Sequence, residues 1–271
     1  MENIMKKIGF IDYYISEWHA NNYPVWMKEI SDEFEVAYAW AEVDVSPVDG
    51  RTTDEWCRDF GVTRCASIEE LCEKSDYIVI LAPTNPECHL GYAEVALKYG
   101  KNTYIDKTFA PDYATAKKIF DIASEHGTKF FSSSALRYAD ELTEYAGRAE
   151  SAVIYGGGSN APEYIIHQVE MLVKLVGTGA CDVNVEKTDD GYKASVTYCD
   201  DRRGELNFAC DNKYKAIITI SGETHELAAD SPFFMNLMSD MLRFFKTGVT
   251  SFDTAETLEV MKIREKFVNQ I

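Results

Sequence analysis

The sequence predicts an α/β domain built on a doubly wound parallel sheet, followed by an α+β domain whose sheet is mainly antiparallel and open. Three observations carry this. In the first half of the chain, strand-like apolar segments alternate with segments of helical periodicity, the rhythm of parallel strands joined by crossover helices. Gly100 and Gly127 each stand between a helical pattern and the next strand, where a helix end needs a left-handed residue. Past about residue 150 the rhythm becomes a run of short strand candidates separated by turn signals.

In order, "KIGFI" reads as a strand, "YPVWMKEISDEF" as a helix, "EVAYAWAEV" as a strand, and "TTDEWCRDFG" and "SIEELCEK" as helices. "DYIVILAP" is a buried strand, "CHLGYAEVALKYG" a helix, "NTYID" a strand, "DYATAKKIFDIASEHG" a helix and "KFFSSS" a strand. "SAVIYGG" opens the second part, and the apolar helix "EYIIHQVEMLVKLVG" ends at Gly177. The strands "CDVNVEKT", "YKASVTYCD", "GELNFACD" and "KAIITISG" follow, separated by "DDG", "DDRRG" and "DNK", which predicts an antiparallel meander. "PFFMNLMSDMLRFFKTG" and "DTAETLEVMKIREKFVNQI" are the closing helices, with Asp253 expected as N-cap of the second and Glu256 as its capping-box partner. The expected domains are 1–136 and 137–271, the last helices packing back on the first.

The formal net charge of -18 repels phosphate backbones and anionic lipid, so nucleic acid and membrane surfaces are not expected partners. The apolar runs are too short to span a bilayer and the N-terminal stretch has no signal-like apolar region, which reads as a cytoplasmic protein. Seven cysteines without a CxxC pair read as reduced structural thiols. An open antiparallel sheet commonly pairs with a second copy, so a homo-oligomer is expected.

A parallel sheet places ligands beyond the carboxyl ends of its strands. Here those positions carry "APTNPECH", Ala82 to His89, and "IDKTFAP", Ile105 to Pro111. With Pro83, Asn85, His89, "AEVALKYGK" and Asp106-Lys107-Thr108, the sequence resembles the Gfo/Idh/MocA family of NAD(P)-dependent sugar and polyol oxidoreductases, whose signature there is Glu-Lys-Pro. "FFSSSALRY", with Arg137-Tyr138, resembles the strand that precedes the family's Arg-aromatic pair. "EYIIHQVEMLVKLVG" resembles the Asp-x-Gly-x-His helix, with Glu163 on the Asp and His167 on the catalytic His.

The resemblance implies a Rossmann-type dinucleotide-binding-like domain, NAD or NADP as cofactor, a small sugar-like substrate and a second domain shorter than usual. It implies that Lys107 hydrogen-bonds a substrate hydroxyl and that His167 accepts its proton, with Glu163 beside it. It assigns Pro83, Asn85, His89 and Asp106, and the fingerprint positions Asp12 and Tyr14, to the cofactor side, and Arg137 and Tyr138 to the substrate side. Glu42 or Asp44, after the second strand, is placed to hold a ribose hydroxyl.

The departure lies in "IGFIDYYISE", where Asp12, Tyr14 and Glu17 fall on the glycines of the Gly-x-Gly-x-x-Gly fingerprint. Glycine suits that turn because a pyrophosphate must approach bare backbone and helix N–H groups; carboxylates and a phenol add repulsion and bulk. Trp18 and His19, with Tyr14 and Asp12, form a candidate sugar-binding edge, against the alternative that Trp18 and Tyr23 are core aromatics. A metal set of Asp12, Glu17, His19 and His89 has no diagnostic spacing, so no metal is expected. "GGGS", Gly156 to Ser159, lacks the Lys-Ser/Thr of a phosphate loop and reads as a flexible connection. Two functions stay open: an oxidoreductase that binds its cofactor in an altered turn, or a non-redox enzyme or carbohydrate-binding protein that has lost the dinucleotide.

Overall fold

In the computed structural model, which describes residues 5–271, the alternation of the first half becomes a parallel sheet. The chain divides into two units, Met1–Ser132 with Met238–Ser251, and Ser133–Leu237 with Phe252–Ile271. The first runs β1 (Lys6–Asp12), α1 (Trp18–Ile30), β2 (Phe34–Ala41), α2 (Thr53–Phe60), β3 (Thr63–Arg64), α3 (Ile68–Lys74), β4 (Tyr77–Ile80), α4 (His89–Ala96), β5 (Thr103–Ile105), α5 (Tyr113–His126) and β6 (Phe130–Phe131). Its six strands lie in the order β3-β2-β1-β4-β5-β6, and every pairing is parallel. Ile8, Phe10 and Ile11 of β1 and Ile78 to Ile80 of β4 have no exposed surface, as central strands require.

Gly100 and Gly127 adopt left-handed φ values of 66° and 65°, as expected where a helix turns into a strand. Helix α1 begins earlier than its apolar pattern predicts. The apolar pattern puts Pro24 at the helix start, where proline is favoured, but Glu17 caps a helix that already runs from Trp18 and has Pro24 inside it. The short β3, exposed at the sheet edge, was not read as a strand because two polar residues carry no alternation.

The second unit contains α6 (Asp140–Thr143), β7 (Ser151–Gly156), α7 (Ala161–Val176), β8 (Ala180–Lys187), β9 (Gly191–Tyr198), β10 (Arg203–Ala209), β11 (Lys215–Ile220), β12 (Glu223–Ala228) and, after the start of α8 (Phe233–Thr247), α9 (Ala255–Val268). Its sheet has the order β12-β11-β7-β10-β9-β8. The predicted meander is interrupted, because β7 inserts between β10 and β11, parallel to the former and antiparallel to the latter. The sheet is therefore mixed and mostly antiparallel. β12 was missed because "ETHELA" is polar on both faces; Ser221 and Gly222, at φ 51° and 80°, form the tight turn into it.

Helix α7 is buried over most of its length and packs on β7, β10 and α9. Its neighbour sets the backbone: Leu172 lies where a side chain at Gly204 would stand. Gly157 likewise sits against the backbone carbonyls of Ala209 and Cys210, so "GGGS" is a close-packed connection rather than a flexible one. The expected capping box on α9 does not form: Asp253 accepts the N–H of Ala255 at 2.9 Å, and Glu256 instead meets Arg137. Cys181 in β8 and Cys199, just past the end of its partner strand β9, are joined as a disulfide, contrary to the expectation that every thiol is free. No helix among the described residues is long and apolar enough to cross a membrane.

Candidate functional site

The strand order reverses between β1 and β4, and the crevice beyond their carboxyl ends is where such a sheet holds ligands. Asp12, the last residue of β1, stands there with 1% of its surface exposed. Its Oδ1 accepts the backbone N–H of Tyr13 at 2.7 Å and of Ala82, just past β4, at 3.0 Å, so one carboxylate ties the two strand ends together. Ala82 holds a left-handed φ of 55° in that arrangement. Burial, reinforced by the Glu17 carboxylate, pushes the Asp12 pKa well above the ordinary carboxylate range.

Glu17 is the N-cap of α1. Its carboxylate accepts the backbone N–H of His19 at 2.8 Å and that of Ala20, and lies 3.0 Å from His19 Nδ1. On the other side of the same ring, His19 Nε2 is 3.6 Å from Asp106 Oδ2. Asp106 follows β5 and is itself oriented by two phenols, its Oδ1 accepting from Tyr104 at 2.9 Å and Tyr23 at 3.3 Å. Trp18, half exposed, meets the His19 ring edge-on at 5.0 Å.

The structure thus brings together Asp12, Trp18, His19 and Asp106 from the sequence reading, and adds Glu17, Tyr23 and Tyr104. In the sequence Glu17 stands out as a misfit on a glycine position and as a member of a metal set without diagnostic spacing; its place directly before a helix is the signal for a cap. Tyr23 and Tyr104 lay hidden in segments whose pattern reads as core, and only the fold aims their hydroxyls at Asp106.

Other candidates are engaged elsewhere. Tyr14 Oη is 3.4 Å from Thr84 Oγ1, and the Glu42 carboxylate accepts from Tyr92 at 2.7 Å. Asp44 pairs with Arg64 at 2.8 Å. Pro83 is buried, and Asn85 donates to Glu87 at 3.0 Å. His89 has no exposed surface; its Nδ1 is 3.0 Å from the Phe109 carbonyl and its Nε2 2.5 Å from that of Leu81. Burial holds its pKa down, and its contacts make it a tie between two loops rather than a group facing a ligand. Lys107, half-buried, follows Asp106 at the same sheet edge, and the Lys107–Thr108 peptide bond is cis.

In the second unit, His167 on α7 has Nδ1 2.7 Å from Ser134 Oγ and its ring beside Tyr164 and Tyr214. Glu163 serves the helix start, accepting from Asn160 at 3.0 Å while its own N–H donates to Asn160 at 2.9 Å. Arg137 is buried, its Nε bonding Glu170 at 2.7 Å and a terminal nitrogen Glu256 at 2.8 Å, with the guanidinium over the Phe252 ring. That commits most of its charge to packing the unit. Tyr138, half-buried, lends its carbonyl to Asn236.

A dinucleotide diphosphate would need the helix N–H groups and bare backbone at the β1 turn. Glu17 already occupies the donors of His19 and Ala20, and Asp12 fills the crevice with a second carboxyl group. These residues do not fit a diphosphate at this turn. No group of three or more His, Cys, Asp or Glu side chains among the described residues is arranged to hold a metal ion.

Residues 31–134 match the model of the oxidoreductase family with an NAD-binding Rossmann fold, GFO_IDH_MocA. Over 62 residues the chain is 32% identical to "Uncharacterized oxidoreductase YhhX" of Escherichia coli, a match covering 23% of this chain and 18% of that protein. The chain therefore spans less than a fifth of the length of the curated relative it matches. Its fold is similar to that of the UDP-N-acetylglucosamine 3-dehydrogenase GnnA from Acidithiobacillus ferrooxidans, with a TM-score of 0.78 at 14% identity over 99% of this chain and 98% of that one. It is also similar to GenD2 from gentamicin A biosynthesis, solved in complex with NAD, with a TM-score of 0.77 at 10% identity over 98% and 94%. The two-domain architecture is similar to these, and the match of residues 31–134 to the family model agrees with the resemblance to the Gfo/Idh/MocA oxidoreductases read from the sequence.

Proposed function

We propose that this chain is an enzyme acting on a sugar- or polyol-like alcohol or ketone. The observation that carries the reading is the set of ionisable side chains gathered at the carboxyl ends of β1 and β5: Asp12, Glu17, His19, Asp106 and Lys107. Such a set can bind hydroxyls and move their protons. In the family reading the reaction is an NAD(P)-dependent oxidation or reduction. Lys107 lowers the cost of deprotonating the substrate hydroxyl, and His167, oriented by Ser134, takes up the proton. The matched family model and the sugar-nucleotide dehydrogenase of similar fold support it. A cytoplasmic compartment and a homo-oligomeric state belong to the same proposal.

One observation favours a second reading, a non-redox enzyme or carbohydrate-binding protein: the Glu17 carboxylate sits on the donors that a diphosphate would use. Fluorescence titration of the purified protein with NADH and NADPH separates the two. Micromolar binding supports the redox reading; millimolar or weaker binding supports the second.

A further inference from the structure

Cys181 and Cys199 are joined, while the other five of the seven cysteines, Cys57, Cys65, Cys72, Cys88 and Cys210, are free. The joined pair lies at the surface, with Cys199 exposed and Cys181 half-buried, whereas Cys57, Cys65 and Cys72 are buried. It crosses the open end of the β8–β9 hairpin: Cys181 falls at the register irregularity between Ala180 and Asp182, and Cys199 follows the last residue of β9. Because β8 is an edge strand of the second sheet, the bond closes the end of the hairpin that is freest to fray.

The backbone around the two sulfurs is held by other means as well. The Glu259 carboxylate of α9 accepts the N–H of Gly179 at 3.1 Å and of Ala180 at 2.6 Å. Lys262 donates to the Ala180 carbonyl at 2.5 Å and Lys266 to that of Cys181 at 2.7 Å, and Gln270 carries the same row on to Val183 and Val185. From the β9 side, the Cys199 N–H donates to the Gly179 carbonyl at 3.3 Å. The two Cα atoms are 5.6 Å apart, inside the ordinary disulfide span. Reduction therefore leaves both cysteines within bonding reach, and the bond can re-form without refolding. A surface disulfide that a small thiol can attack, and whose partners the fold keeps poised, has the properties of a redox sensor rather than of a buried brace.

We infer that Cys181 and Cys199 are a reversible thiol–disulfide latch, set by the glutathione redox state, that secures the β8 edge of the second sheet when oxidised and frees it when reduced. Closing runs through a mixed disulfide. One cysteine, as thiolate, attacks glutathione disulfide, breaks its S–S bond and releases one glutathione. The second cysteine, as thiolate, attacks the mixed disulfide, forms the Cys181–Cys199 bond and expels the second glutathione. Two electrons pass from the cysteine pair to glutathione disulfide, and the two thiol protons end on the two glutathione thiols. Opening is the reverse, with the exposed Cys199 sulfur as the point of attack. The latch does not depend on which of the two functional readings holds.

The test equilibrates the folded full chain in glutathione buffers running from wholly reduced to wholly oxidised, quenches in acid, then denatures, alkylates and weighs the intact protein. Seven alkylated cysteines are expected at the reduced end and five at the oxidised end, with a midpoint inside the series. Hydrogen exchange followed by mass spectrometry on the two end states should be slower in the oxidised form by about tenfold or more over residues 180–199, with the parallel sheet of the first unit unchanged. The double variant Cys181→Ser with Cys199→Ser should exchange at the reduced rate in both buffers. Seven alkylated cysteines at every ratio would show that the pair does not close, and five persisting in wholly reduced glutathione would make it a permanent brace; either overturns the latch. Equal exchange over residues 180–199 in the two end states overturns it too, because the bond would then secure nothing.

Discussion

The Glu17 carboxylate accepts the backbone N–H of His19 at 2.8 Å, so the first turn of α1 is closed by a side chain from its own sequence. A helix start normally leaves its first N–H groups to water, a cap or an anion. Here the cap has taken the anion's place. Glu17→Ala should therefore destabilise the fold by about 1–2 kcal/mol, the usual cost of losing a cap, while Glu17→Gln keeps an acceptor and loses less. Urea denaturation of the three proteins measures this. Coincident curves for native and Glu17→Ala would mean that the cap contributes nothing.

Asp12 predicts a pH dependence. Burial raises its folded pKa above the 3.8 of an ordinary Asp. Its contribution to stability is thus fully present below that unfolded value and is lost as pH rises through the folded one. Glu17 and Asp106, which face it, add to the loss. Asp12→Asn carries no such titration, so its stability relative to native should climb as pH is raised from about 4 toward neutrality. Melting temperatures of the two proteins across that range give the difference directly. A constant offset would show that Asp12 ionises as freely folded as unfolded.

Arg137 separates a packing role from a ligand-binding one. Its guanidinium holds Glu170, a carboxylate whose burial drives its pKa up despite the pairing. Removing the arginine leaves Glu170 buried without its partner, and Arg137→Ala should cost about 3–5 kcal/mol. Native-like stability in chemical denaturation, combined with weakened substrate binding, would return Arg137 to the substrate side.

The parallel sheet was legible because alternation of strand and helix admits few topologies, and Gly100 and Gly127 marked two boundaries by backbone geometry alone. The second sheet was legible as strands but not as an order: nothing local in "SAVIYGG" says that β7 pairs with β10 rather than with its neighbour in sequence. The site divides in the same way. Asp12, Trp18 and His19 could be named because a polar, aromatic turn is strange after a first strand. Asp106 was marked by its place just past a strand and by the resemblance, but its partners Tyr23 and Tyr104 could not be found. A tyrosine hydroxyl aimed at a carboxylate from another strand is a product of the fold, and it leaves no periodicity to read.

Lys107 and His167 give the prediction on activity. If the chain catalyses a proton-coupled step on an alcohol, Lys107→Ala and His167→Ala should each lower turnover by about a hundredfold or more, the scale of general acid–base catalysis. Both side chains are only half-buried, so melting temperatures should move little. Ser134, 2.7 Å from His167 Nδ1, adds a finer check. Ser134→Ala should displace the pH–rate profile while retaining activity. A large loss of stability in His167→Ala with turnover intact would make His167 a packing residue of α7.

The β1 turn itself can be rewritten. If Asp12, Tyr14 and Glu17 exclude the diphosphate, native protein should bind NADH with a dissociation constant in the millimolar range or weaker, about 4 kcal/mol. Glycine at all three positions would free the His19 and Ala20 N–H groups, clear the crevice beside Ala82 and remove two acidic groups, so NADH affinity should rise. The same change deletes the cap and the tie from β1 to β4, and glycine adds disorder to the unfolded chain, so stability should fall independently of binding. Melting the variant without ligand measures that cost separately. Micromolar NADH binding by the native protein would show that the turn accommodates a dinucleotide with its carboxylates in place. No gain in the folded triple variant would show that the crevice lacks more of the cofactor site than its glycines.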